Sequence, residues 1–167
     1  MMFDPFENRI SRDIRNELSG HFLDDLLAKN NPGRVDENTA ALKRKAPDAD
    51  HLRYIDARVE NYRKVYRESE GAGPFEIARR LWNYRLFFEC HEWLEPLWMN
   101  ADGSEKKAIQ GIIRAAGAHV LDEAGRKSPA RTSAQKALVL IRDHSAQIPL
   151  PFNTDHLIRA LNRLLGS

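Results

Sequence analysis

Apolar residues recur along this chain at the three- and four-residue spacings of α-helices, and no segment alternates as a strand does. Ile10, Ile14, Leu18 and Phe22 mark a first helical face, extended by Leu23, Leu26 and Leu27, in one helix or two short ones. Asp4 before Pro5 is its start signal, and Asn30 to Gly33 ends it just past Lys29. Residues 34–47 are polar and charged without a strong apolar period, so they read as a loop and the one plausible linker. Behind Asp48 and Asp50, the residues Leu52, Ile55, Val59, Tyr62 and Tyr66 form the seam of a second long helix.

The second half of the chain is patterned more densely. The Gly71 to Gly73 turn and Pro74 start a helix carrying Phe75, Ala78, Leu81 and Trp82. A further helical period runs from Leu86 to Trp98. Ser104 caps the next helix, which stops at Gly125, the residue type that best adopts the left-handed stop conformation. Ser128 and Pro129 open another, with Ala130, Ala134, Ala137, Leu138 and Ile141 on one stripe. Past Pro149 and Pro151, Asn153 or Thr154 caps a last helix whose apolar side holds Leu157, Ile158, Leu161, Leu164 and Leu165. The expected fold is all-α, a compact bundle of antiparallel helical hairpins with about six or seven helices. Residues 1–73 are expected to be a helical extension packed on a core of residues 74–167, forming one structural domain.

Composition narrows the function classes. With 167 residues, 42% of them hydrophobic and 30% charged, the chain has the material for an ordinary globular core. Its 26 basic and 24 acidic residues leave a net charge of +2, too small to drive binding to nucleic acid or anionic lipid. Arg53, Arg58, Arg63, Lys64 and Arg67 are interleaved with Asp56, Glu60 and Glu68, which makes a solvated helix face rather than a basic strip. One cysteine, Cys90, rules out an internal disulfide framework and fits a reducing compartment. No apolar run reaches the length of a membrane helix and the start lacks a signal-peptide core, so a cytoplasmic location is expected.

Candidate chemistry is concentrated between residues 86 and 98. Projected at about 100° per residue, Leu97, Cys90, Leu94, Phe87, Trp98 and Phe88 share one arc, with His91 and Glu95 inside it and Glu92 at its border. Glu89 points away. A buried imidazole and carboxylate four residues apart need a partner. If the flanking helices form a tight hairpin, Gln110 is level with His91, while His119 lies about 12 Å further along. Gly111, Ala115 and Ala118 line a separate side of that following helix, where a third helix can approach closely.

The run Leu81, Trp82, Asn83, Phe87, Phe88, Glu89, Cys90, His91, Glu92, Trp93, Leu94, Glu95 and Trp98, followed by Gln110, Gly111, Ile112 and Ile113, resembles domain of unknown function 309. The resemblance covers roughly residues 74–145. It implies a compact bundle of helical hairpins and brings no activity, substrate or cofactor. Two positions depart from the family pattern. Arg85 stands where a glycine is usual, which predicts a longer or differently shaped turn. Pro96 stands at a normally acidic helical position, which predicts a bend or an end.

Two readings of the cluster follow. In the first, His91, Glu92, Glu95, Trp98 and Gln110 form a satisfied buried network in a non-enzymatic module that binds an unknown protein partner or itself, with no cofactor, specific nucleic acid or membrane. In the second, His91, Glu92 and Glu95 are catalytic or metal-binding residues of a divalent-metal-dependent hydrolase or a small-ligand-binding protein, with His91, Glu95 and His119 as the ligand set. His119 with Glu123 is otherwise expected as a partly exposed pair. Cys90 is expected as a small core residue rather than a nucleophile.

Overall fold

The computed structural model describes residues 2–29 and 33–166. Among them are eight α-helices, one 3-10 turn at Ser145–Gln147, and no strand. The all-α expectation holds, with one helix more than the upper expectation. The chain divides into two compact units, Met1–Gly71 and Ala72–Ser167.

The first unit holds α1 (Arg9–Ala28), α2 (Gly33–Lys45) and α3 (Ala49–Glu68), each packed on the other two. Asp4 caps a turn, accepting from the Phe6 and Glu7 amides, whereas Asn8 caps α1 by accepting from Ser11. The core line of α1 is Ile14, Leu18, Phe22 and Leu26, while Ile10 and Leu27 are exposed. Of the stop expected at Asn30 to Gly33, residues 30–32 lie outside the described residues and Gly33 begins α2.

Residues 34–47 do not form a loop. Most of the segment is α2, because Val35, Thr39 and Leu42 lie at i, i+4 and i+7 and all three are buried. Thr39 hides this pattern from a purely apolar count: its hydroxyl donates to the Val35 carbonyl inside the helix, so it enters the core without an unmet donor. Asp36 in the first turn and Lys43, Arg44 and Lys45 in the last complement the helix dipole. In α3 the buried face is His51, Ile55, Val59, Tyr62 and Val65, with Tyr62 stacked on Phe22. Leu52, expected inside, is exposed, because the face is turned by about one residue to admit His51.

The second unit holds α4 (Pro74–Asn83), α5 (Phe87–Met99), α6 (Gly103–Glu123), α7 (Lys127–Asp143) and α8 (Thr154–Gly166). Successive helices pack on each other, and α6 also meets α8. Asp102, not Ser104, stands at the cap position of α6, while the Asn153 side chain accepts from His156 at the start of α8. All five stripe residues of α7 are buried. Gly111 is where α7 comes closest: a Cβ there would lie 2.9 Å from Ile141 Cγ1 and 3.2 Å from Leu140 Cβ.

The α4–α5 turn is tight rather than long. Leu86 N–H donates to Leu81 C=O and Arg85 N–H to Trp82 C=O, with Arg85 left-handed at φ 58°. This is the Schellman stop, and the fully buried Leu81 and Leu86 sit at the two positions whose contact usually accompanies it. The α6–α7 turn repeats the pattern, Arg126 to Leu121 and Gly125 to Asp122, with Gly125 at φ 75°. Arginine therefore occupies a position that glycine fills elsewhere in the same unit.

Candidate functional site

Helix α5 presents most of the candidate residues, and its orientation is set by Leu86, Phe87, Cys90 and Leu94, all buried against the neighbouring helices. Trp93 adds an anchor by donating from Nε1 to the Pro74 carbonyl at 2.9 Å, which ties α5 to the start of α4. Pro96 neither ends nor interrupts α5, which continues to Met99.

That orientation turns the helix away from the expected arc. The buried centre lies near Cys90, so His91, Glu95 and Trp98 fall on one rim and Glu89 on the other. Glu89, expected to point outward, is fully buried and has an interaction partner. The side chains of His91, Glu92 and Glu95 are 30%, 41% and 49% exposed. The aromatic pull of Phe88 and Trp98 displaced the expected centre, but both residues are only half-buried.

The rim residues nonetheless converge. His91 Nδ1 lies 3.5 Å from Glu92 Oε1, and His91 Nε2 lies 3.9 Å from Glu95 Oε1. One ligand-type atom from each of the three residues falls within 4.8 Å of the others. These are ion-pair distances, and His91 Nδ1, though shielded from solvent, forms no hydrogen bond. Trp98 Nε1 is likewise shielded without a hydrogen bond, and its ring carries the Lys106 ammonium at 4.9 Å. Gln110 is half-buried on α6 and forms no hydrogen bond to His91 or Glu95 among the described residues. A closed, buried His/Glu/Gln network is thus replaced by a half-open polar face.

His119 belongs to different surroundings. It is buried, stacked on Phe87 at 4.3 Å and edge-on to Trp82 at 5.2 Å, and its Nε2 makes no hydrogen bond. Burial lowers its pKa to about 4, with Arg85 lowering it further and Asp122 opposing. The expected exposed pair with Glu123 does not form, because Glu123 accepts from Arg85 at 2.9 Å. His119 is also outside the converging triad, so the ligand set of His91, Glu95 and His119 is not brought together. Cys90 is fully buried, its S–H directed at the Ala78 carbonyl, and burial followed by the nearby Glu89 charge pushes its thiol pKa far up. Both effects remove it as a nucleophile.

A second polar cluster escaped the sequence reading. His51 Nδ1 lies 2.7 Å from Asp48 Oδ1 and Nε2 lies 2.9 Å from Ser11 Oγ, which is the connectivity of a Ser-His-Asp triad. Ser11 and His51 have no solvent exposure, and Ser11 Oγ also accepts the Asp4 amide. The hydrogen bonds to His51 hold the Asp48 carboxyl far below the usual range. With no access for a substrate, the chain of bonds joins the starts of α1 and α3. The Asp48-x-x-His51 spacing at a helix start was the available signal.

No helix of the described residues is long and apolar enough to cross a membrane. No curated protein and no solved structure matches the chain. Residues 75–132, spanning α4 to the start of α7 and carrying the whole half-open face, match the model of the family described as Domain of unknown function (DUF309).

Proposed function

We propose that residues 75–132 form a binding module, not a catalyst, and that its ligand is a divalent cation held by His91, Glu92 and Glu95. The observation that carries this reading is the convergence of one imidazole nitrogen and two carboxylate oxygens within 4.8 Å on a half-open face. An imidazole with two carboxylates suits zinc or manganese better than calcium, which favours all-oxygen sites. Ligand atoms bound at about 2.1 Å from one ion lie at most about 4.2 Å apart. The carboxylates therefore have to draw in slightly, which their exposure permits. Three ligands from little more than one helical turn leave the far side of the ion open.

The test is calorimetric titration of chelator-stripped, tag-free protein with zinc and with manganese. One ion per chain is expected, weakened by roughly tenfold or more in His91→Ala and in Glu95→Gln, the size of losing one charge-assisted contact. A flat titration, or variants that bind like the parent, sinks the proposal. The competing occupant is a protein partner or a second copy. Its support is the exposed Met99 beside the half-buried Trp98. It is favoured if metal binding is absent and Trp98→Ala changes the sedimentation of the chain.

A further inference from the structure

A groove of about 410 Å³ lies along the first turns of α7, lined by Arg114 from α6 and by Ser128, Pro129, Thr132, Ser133 and Lys136. The five α7 residues fall at i, i+1, i+4, i+5 and i+8, so they form one face of that helix. Among the described residues, no carboxylate lines the groove. Lys127, one residue before the groove, is paired with Asp122. Arg114 and Lys136, in contrast, form no ion pair among the described residues. Two cations without an ion pair therefore line one concavity.

The hydroxyls divide into two roles. Ser133 donates to the Arg114 carbonyl at 3.1 Å and Thr132 to the Ser128 carbonyl at 3.3 Å, so both brace the walls. The Ser128 hydroxyl makes no hydrogen bond within the described residues and is left as a donor. The start of α7 adds to the positive potential, since no side chain caps its first amides.

We propose that this groove binds a small phosphomonoester, with its phosphoryl group between the Arg114 guanidinium and the Lys136 ammonium and with Ser128 as a further donor. A monoester carries a charge near −2 at neutral pH, matching two cations, and the planar guanidinium fork fits phosphoryl oxygens. The groove exceeds the volume of a phosphoryl group alone, leaving room for an organic substituent. This assignment is independent of the His91 face, from which it shares no residue.

The experiment is titration of the full chain at low ionic strength with glycerol 3-phosphate and with inorganic phosphate, against sodium chloride at matched ionic strength. Saturable binding of the phosphates beyond the chloride control is expected. Arg114→Gln and Lys136→Gln are each expected to weaken it roughly tenfold, as loss of a charge-assisted bond implies. Ser128→Ala costs less. Both cations have solvent-exposed surface, so the variants keep the parent melting temperature, which circular dichroism checks. Tighter binding of the ester identifies the ester as the source of the phosphoryl group, and equal binding identifies the free anion. No saturation beyond chloride, or glutamine variants that bind like the parent, overturns the assignment. So does a single-stranded oligonucleotide that outcompetes the monoester.

Discussion

His119 and Arg85 illustrate how much one side chain's surroundings decide. His119 is neutral at ordinary pH because burial, and then the Arg85 charge, disfavour its protonated form and hold its pKa at about 4 against the unperturbed 6.5. A histidine whose pKa falls on folding stabilises the protein above its unfolded value. That contribution is lost as pH drops from about 6.5 through about 4, and amounts to on the order of 2–3 kcal/mol. Urea unfolding at pH 7.5 and at pH 4 is expected to show the loss, and His119→Phe, which keeps an aromatic ring beside Phe87, should flatten that part of the profile. An unchanged profile in the variant means the acid sensitivity resides elsewhere. Arg85 carries a backbone conformation that costs a side-chain-bearing residue about 1 kcal/mol. It offsets this through the Glu123 ion pair and by lying 5.3 Å over the Phe87 ring. Arg85→Ala removes both contacts and keeps the strain, whereas Arg85→Gly removes contacts and strain together. The glycine variant is therefore expected to be more stable than the alanine variant by about 1 kcal/mol in chemical denaturation. Equal stabilities contradict the left-handed assignment.

Among the elements, α6 is the one least able to accept change. Gly111→Ala adds about 1 kcal/mol of helix propensity, yet its new methyl group meets Ile141 and Leu140 at distances that force α7 away. A net loss of about 1–3 kcal/mol is expected, read from the urea midpoint; a stabilised variant shows that the α6–α7 approach is looser than described. This close approach was legible beforehand, because Gly111, Ala115 and Ala118 share a side of α6, and a stripe of small residues has a plain packing meaning. The α7 face was legible for the same reason. Helix α2 was not, since only Val35 and Leu42 signal its face and the third position is a threonine that satisfies its own hydroxyl. Helix α5 was recognised but misoriented. Its apolar residues nearly encircle it, so the buried centre depends on which neighbours it meets. Those contacts moved His91 and Glu95 to the rim and Glu89 inside.

At the scale of the whole molecule, the division at Gly71 places the matched segment within the second unit, together with the half-open face and the cationic groove. The first unit lies outside that match and has its own buried polar chain through Ser11, His51 and Asp48. The spacing of apolar residues foretold the helical class, but it could not report which polar side chains end up sealed, because that depends on contacts between segments distant in the chain. Cys90 shows what such sealing means in practice. The chain's one thiol is enclosed and held in its unreactive form, so the native protein presents a silent background to maleimide and iodoacetamide reagents. A cysteine introduced on either unit's surface thus becomes the sole attachment point for a fluorophore or spin label, and the parent sequence needs no prior editing.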